Sequence, residues 1–192
     1  MKVGVIGCGN IADIYFHNAK NFFNNFEIIA CADLNPEASK KYSEKYGIKN
    51  LSVEELLSNE DIQLVINLTI PNAHFEVSKS ILNSGKHSYS EKPISIEFDE
   101  GKELLNLAKS KNLYVGSAPD TFLGAGIQKS KQVIEDGTIG EIVLGSISMG
   151  VAGHEIWHPN PDFYYKYGGG PILDMGPYYF SALVNLLGSV KS

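Results

Sequence analysis

The chain has 192 residues, of which 43% are hydrophobic and 20% charged, and a net charge of −6. That length can bury a sizeable core, and the acidic balance, with no Lys/Arg cluster set against it, excludes a nucleic-acid surface. No apolar run approaches the roughly 18 residues of a membrane helix, and the only cysteines, Cys8 and Cys31, suit reduced apolar side chains better than a disulfide framework.

Met1-Lys2 leads straight into an apolar run, without the hydrophobic region and cleavage site of a signal peptide, so a cytoplasmic protein is expected. Val3 to Ala12 reads as a strand, a tight turn and a helix start. Gly7 lets the chain turn and Gly9 lets a pyrophosphate approach the backbone, while the small Ala12 lets helix and strand pack closely. The N-terminus of that helix, Ile11 to Phe23, offers unpaired N–H groups and about half a unit of positive charge to phosphates. The next strand, Glu27 to Asp33, ends in an acid somewhat more than roughly 20 residues downstream. A carboxylate there accepts both hydroxyls of an adenine ribose and repels a 2′-phosphate, which favours NAD over NADP as cofactor.

Asn35-Pro36-Glu37 then opens a polar helix that runs to Tyr46 and stops at Gly47. Ser52 and Glu55 form a capping box for a short helix. Leu64 to Leu68 is a buried strand, which Pro71-Asn72 ends while capping a helix from Ala73 to Asn83. A strand from His87 to Glu91, a helix from Phe98 to Ser110 and a strand from Leu113 to Ser117 complete the series. This alternation predicts an α/β fold, a doubly wound parallel sheet covered on both faces, with ligands at the carboxyl ends of the strands. Asp33, Thr69, Glu91 and Ser117 then share one rim.

From Pro119 the alternation stops, which divides the chain into residues 1–119 and 120–192. A helix is expected from Phe122 to Asp136, a half-exposed strand from Glu141 to Met149, and an aromatic loop from Val151 to Tyr167. A triple glycine at 168 to 170 and an apolar helix to Leu187 follow. Glu91-Lys92-Pro93 closes a strand at the rim, and a residue before proline is held extended, so Lys92 is aimed into the crevice. An ammonium there can bond a substrate hydroxyl and favour its alkoxide as hydride leaves.

Gly7-Cys8-Gly9-Asn10-Ile11-Ala12, Thr69-Ile70-Pro71-Asn72-Ala73-His74, Gly85-Lys86-His87 and Glu91-Lys92-Pro93 together resemble the glucose–fructose oxidoreductase / inositol dehydrogenase (Gfo/Idh/MocA) family. Gly168-Gly169-Gly170 with Leu173-Asp174-Met175-Gly176 resembles its second-domain signature. The resemblance implies an N-terminal Rossmann domain and the start of an α+β substrate domain that often mediates homo-oligomers. It also implies an NAD(P)-dependent dehydrogenase acting on a sugar, cyclitol or related polyol. On it, Gly7, Gly9, Asn10, Ile11, Asp33, Thr69, Pro71, Asn72, His74, Glu91 and Lys92 contact the cofactor. Lys92 matches the catalytic lysine and Asp174 the acid of the second-domain motif. Where the family often has a proton-transferring histidine, four residues after that acid, this chain has Tyr178; His154 and His158 on the aromatic loop compete with it. Relatives extend well past Ser192, so missing strands of the second domain are expected from further chain or from other copies.

His154-Glu155-Ile156-Trp157-His158 also spells the zinc-protease pattern His-Glu-x-x-His. That chemistry needs both histidines on one helical face, and Gly153, Pro159 and Pro161 argue for a loop, so no metal is expected. A protein that only binds or senses NAD(H) is the other class left open.

Overall fold

The structure, a computed structural model, describes residues 1–156 and 161–191, with the backbone alone at His154 and Phe163. The chain forms two compact units, Met1–Ala118 and Pro119–Ser192. In the first, the elements are β1 (Lys2–Ile6), α1 (Ala12–Phe22), β2 (Glu27–Ala32), α2 (Pro36–Tyr46), β3 (Lys49–Asn50), α3 (Val53–Ser58), β4 (Leu64–Asn67), α4 (Pro71–Asn83), β5 (His87–Ser90), α5 (Phe98–Ser110) and β6 (Val115–Ser117). The six strands are all parallel, in the order β3-β2-β1-β4-β5-β6. This is the doubly wound Rossmann sheet, whose order reverses between β1 and β4.

Side-chain alternation sorts the core into two layers. Val3 and Val5 of β1, Ile28 and Cys31 of β2 and Ile66 of β4 pack with Phe16 of α1 and Tyr42 of α2. On the other face Ile6, Ala30, Ala32 and Val65 meet Leu56 of α3 and Ile81 of α4. Each helix presents the matching stripe: Ala12, Phe16 and Ala19 are the buried residues of α1, and Leu104 and Ala108 those of α5. The Ser52–Glu55 capping box forms as expected, with Ser52 Oγ accepting from the Glu55 N–H at 3.1 Å and Glu55 Oε2 from the Ser52 N–H at 2.8 Å.

Some element boundaries differ from the sequence expectation for identifiable reasons. α4 begins at Pro71 rather than Ala73, because proline lacks the N–H that the first helical position cannot use and has its φ already set. β3 is a two-residue edge strand, too short to carry a pattern. In the second unit, the helix expected from Phe122 is broken at Gly124, whose ψ of 148° is extended, into a 3-10 turn, Asp120–Leu123, and α6, Ala125–Glu135. The last helix is likewise divided at Met175 into α7 (Pro171–Asp174) and α8 (Gly176–Leu187); Pro177 has no N–H to continue α7. The segment Glu141 to Met149 pairs with no strand among the described residues, and Val143 and Leu144 are 95% and 85% exposed. Its alternation marks a residue pattern, but a strand needs a ladder partner as well. No helix of the described residues is long and apolar enough to cross a membrane.

Candidate functional site

The register brings the carboxyl ends of the strands into one line. Ala32 pairs with Ile6, Ile6 with Asn67, Asn67 with Ser90, and Ser90 with Ser117. Asp33, Gly7, Leu68 and Glu91 therefore leave the sheet side by side. Asp33 and Glu91 stand three strand spacings apart, about 14 Å along the rim, with the switch point between them.

At the switch point the chain after β1 is pressed against the loop after β4. Gly7 has a φ of +99°, and a Cβ there would lie 2.5 Å from the Leu68 carbonyl carbon and 2.7 Å from the Thr69 nitrogen, so no other residue fits. Two residues on, a Cβ at Gly9 would meet no atom within 4 Å. The space above Gly9 is open, and α1 starts beneath it with no side chain capping its first turn. The Ala12 N–H that opens the helix donates to the Gly9 carbonyl at 3.2 Å, and the positive end of the helix faces the space where an anion would lie. Asn10 and Ile11 are exposed on the same turn.

Asp33 is built into this turn. Its Oδ2 accepts the Cys8 N–H at 2.6 Å and its Oδ1 the Asn35 N–H at 2.7 Å. An ionised carboxylate offers about four lone-pair sites, so acceptor capacity remains for a ligand diol. From α2, the Tyr42 hydroxyl donates to the Gly9 carbonyl at 3.2 Å, with its ring stacked on Phe16 at 5.1 Å. Cys8 is buried, with its Sγ 3.7 Å from the Ala32 carbonyl, and the Cys31 thiol beside it together with burial pushes its own thiol up from the ordinary value.

The loop after β4 is organised by Asn67, which is wholly buried. Its Nδ2 donates to the His74 carbonyl and to Ser78 Oγ, at 3.1 and 3.0 Å, while its Oδ1 accepts from the Thr69 N–H and hydroxyl, at 3.2 and 2.7 Å. Thr69 is thereby fixed at the rim, with Pro71 partly buried and Asn72 exposed at the start of α4. His74 is only 1% exposed, its Nδ1 is 2.6 Å from the Pro93 carbonyl and its Nε2 is 2.9 Å from the Thr69 carbonyl. After β5, Glu91 Oε1 accepts from the Tyr15 hydroxyl at 2.7 Å and Oε2 from the Lys92 N–H at 3.0 Å. The Glu91 N–H donates to the Asn67 carbonyl at 2.9 Å. Lys92 is partly buried, and its bond to Pro93 is cis.

The first unit thus gathers Gly7, Gly9, Asn10, Ile11, Asp33, Thr69, Pro71, Asn72, Glu91 and Lys92 along one rim, with His74 behind it. Asp174 and Tyr178 belong to the second unit. There Asp174 ends α7, and burial and the Asp174 carboxylate hold the Tyr164 phenol above its ordinary value. His154 lies in a 3-10 turn, His154–Ile156, of which only its backbone is described, and His158 lies outside the described residues. Among the described residues no group of three His, Cys, Asp or Glu side chains could hold a metal. Tyr15 and Tyr42 were not expected at the site. Their partners are 76 and 33 residues away in sequence, and no local pattern marks a tyrosine for a distant bond.

Comparison with known proteins decides the family. Residues 1–118 match the model of the oxidoreductase family with an NAD-binding Rossmann fold, and residues 127–192 the Gfo/Idh/MocA C-terminal domain. The chain belongs to the Gfo/Idh/MocA oxidoreductase family. It is 30% identical to an uncharacterized oxidoreductase of Schizosaccharomyces pombe, over 100% of this chain and 53% of that protein. It is 26% identical to the myo-inositol 2-dehydrogenase of Thermotoga maritima, over 98% of this chain and 55% of that one. The fold superposes with a TM-score of 0.82, at 21% identity, on the WlbA dehydrogenase of Chromobacterium violaceum, solved with NADH and UDP-GlcNAcA, covering 100% of this chain and 56% of that one. The chain spans about half the length of the curated relatives it matches.

Proposed function

We propose that this chain carries the cofactor half, and part of the substrate half, of an NAD-dependent oxidoreductase that moves hydride between nicotinamide and a carbinol or carbonyl carbon of a sugar, cyclitol or related polyol. The observation that carries this is the line of the rim: Asp33 bonded to the glycine turn at one end, Glu91, with Lys92 next to it in the chain, about 14 Å along it, and open space over Gly9 between them. One extended dinucleotide accounts for all three.

The residues present fit that group. Gly9, Asn10 and Ile11 with the start of α1 would take the pyrophosphate, Asp33 the adenine ribose, and Thr69, Pro71, Asn72 and Glu91 the remainder of the rim. The Asp33 charge favours NAD over NADP. When bound, the cofactor supplies the hydride acceptor or donor. Lys92 bonds the substrate oxygen and favours its alkoxide, a charge-assisted contact of about 1.5–3 kcal/mol. By their match to the family motif, Asp174 positions substrate and Tyr178, or His154 in its place, carries the proton. The second unit would serve substrate binding and assembly into homo-oligomers; the exposed Val143 and Leu144 of an unpaired segment support that role.

The test supplies NAD or NADP with a panel of sugars and cyclitols and follows absorbance of the reduced nicotinamide. Turnover with NAD is expected, lost in Lys92→Ala with NAD affinity within about twofold, since the lysine acts on the substrate oxygen. Undiminished turnover in Lys92→Ala removes it from this role. NAD binding without turnover of any of the panel leaves a protein that binds or senses NAD(H).

A further inference from the structure

Lys92 carries the proposed chemistry, yet it sits on a loop, where position is normally loose. The residues on either side of it are held by side chains from two different helices. Before it, Glu91 accepts the Tyr15 hydroxyl on Oε1 at 2.7 Å and the Lys92 N–H on Oε2 at 3.0 Å, so one carboxylate links α1 to the lysine backbone. After it, the Pro93 carbonyl lies 2.6 Å from His74 Nδ1, and the other nitrogen of the same ring lies 2.9 Å from the Thr69 carbonyl. Both partners are carbonyl acceptors, and which ring nitrogen donates depends on the tautomer. With the ring 1% exposed, no solvent competes for either contact.

We infer that Tyr15 and His74 are positioning residues that bracket Lys92, fixing its backbone to the glycine-turn helix on one side and to the loop after β4 on the other. α1 begins on the turn that would hold the pyrophosphate, and Thr69 stands at the rim beside it. The bracket therefore ties the lysine to two of the surfaces against which a nicotinamide would lie, so that substrate oxygen and cofactor are set against one frame. This assigns His74 to the support of the rim, through both ring nitrogens, and leaves the cofactor contacts to its neighbours. It rests on the proposed role of Lys92 for its catalytic meaning, but the bracket itself can be measured without turnover.

The experiment is residue-resolved amide hydrogen exchange on the full chain, with Tyr15→Phe and His74→Phe, read at Lys92 and at Val65 and Ile66 in the centre of the sheet. Losing a hydrogen bond to a charged group raises local exchange at the Lys92 amide by about tenfold to a hundredfold, while Val65 and Ile66 stay within about twofold. His74→Gln, whose amide NH2 can still donate to one of the two carbonyls, recovers part of the protection. An unchanged Lys92 amide in Tyr15→Phe overturns the bracket, and so does a rise at Val65 and Ile66 in step with Lys92, which marks a general loss of stability. Tyr15→Phe, which removes one oxygen from a partly buried side chain, keeps the test decisive should His74→Phe fail to fold. In the turnover assay Tyr15→Phe lowers kcat about tenfold with the NAD dissociation constant within about twofold. If Lys92→Ala keeps full turnover while Tyr15→Phe loosens the Lys92 amide, the catalytic role of the lysine has failed and the bracket stands.

Discussion

Gly7 and Gly9 are two residues apart in one turn, and their surroundings predict opposite consequences for the same substitution. At Gly7 an alanine Cβ would lie 2.5–2.7 Å from the backbone of Leu68 and Thr69, and the φ of +99° is one that a side chain rarely adopts. Backbone cannot swing aside as a side-chain tip can, so the loop after β4 must move. Conformational strain of about 1–3 kcal/mol and overpacking of about 1–3 kcal/mol give about 2–6 kcal/mol for Gly7→Ala, against a total stability of about 5–15 kcal/mol. With a urea slope near 2 kcal/mol per molar, the unfolding midpoint falls by about 1–3 M. At Gly9 a Cβ meets nothing within 4 Å, so Gly9→Ala leaves the unfolding free energy within about 0.5 kcal/mol of the parent. Its methyl group instead occupies the space proposed for the pyrophosphate, and NAD affinity, measured by calorimetric titration, falls by about tenfold or more. A Gly9→Ala protein that binds NAD as the parent does, or one that unfolds as early as Gly7→Ala, refutes this division between a packing glycine and a ligand glycine.

Two further outcomes follow from groups away from the rim. Asp13 joins α1 to the end of α2 through Lys45 at 2.6 Å and the Tyr46 hydroxyl at 2.8 Å, and these two hold its carboxyl below the ordinary value of 3.8. A carboxyl depressed by folding stabilises above its unfolded value and loses that contribution as pH falls through the folded one. The stability difference between the parent and Asp13→Asn should thus be constant near neutral pH and vanish on acidification, which urea midpoints across the acid range will check. Leu56 is wholly buried beneath the sheet, where Gly4 leaves it room, a Cβ at that position falling 2.9 Å from Leu56 Cδ2. Leu56→Ala should cost about 2–5 kcal/mol, and a loss under about 1 kcal/mol would mean that the site collapses around the change.

The residues that specified the first unit are those whose signal is local. Asn35-Pro36 and Gly47 bound α2 where expected, because a cap, a preset φ and a left-handed stop act within a few residues of themselves. Gly7, Gly9 and Asp33 were legible for the same reason, since a turn that must clear backbone and an acid that ends a strand leave a mark in composition. Tyr15, Tyr42 and the double contact of His74 were not, because each depends on which strands become neighbours, and the order β3-β2-β1-β4-β5-β6 is a property of the whole sheet. Lys86 falls between the two cases. It belongs to a run that resembles the family, but its reason is visible only in three dimensions. It lies at the end of the sheet away from the rim, where its buried ammonium donates to the Asn59 and Ile62 carbonyls at 2.7 and 2.9 Å, and burial draws its pKa down. In the second unit the alternation from Glu141 to Met149 describes side chains that suit a sheet, and side-chain pattern alone supplies no ladder.

Asp33 ties the cofactor preference proposed above to the fold of this sheet. Because Ala32 pairs with Ile6, the residue after β2 must emerge beside Gly7, and no other position on β2 could reach the turn without crossing the sheet. There one carboxylate oxygen holds the Cys8 N–H and the other the Asn35 N–H, which shapes the same turn that leaves Gly9 open. A carboxamide offers a single acceptor oxygen, so it can keep one of those anchors and must release the other or turn its amide group toward a donor. Removing the charge proposed to select against a 2′-phosphate therefore also slackens the turn on which the pyrophosphate would rest. On that proposal a change of cofactor requires a second donor or acceptor to replace the lost anchor, and the exposed Leu34 is the neighbouring position open to it, since the Asn35 side chain already accepts the Glu37 N–H at 3.1 Å.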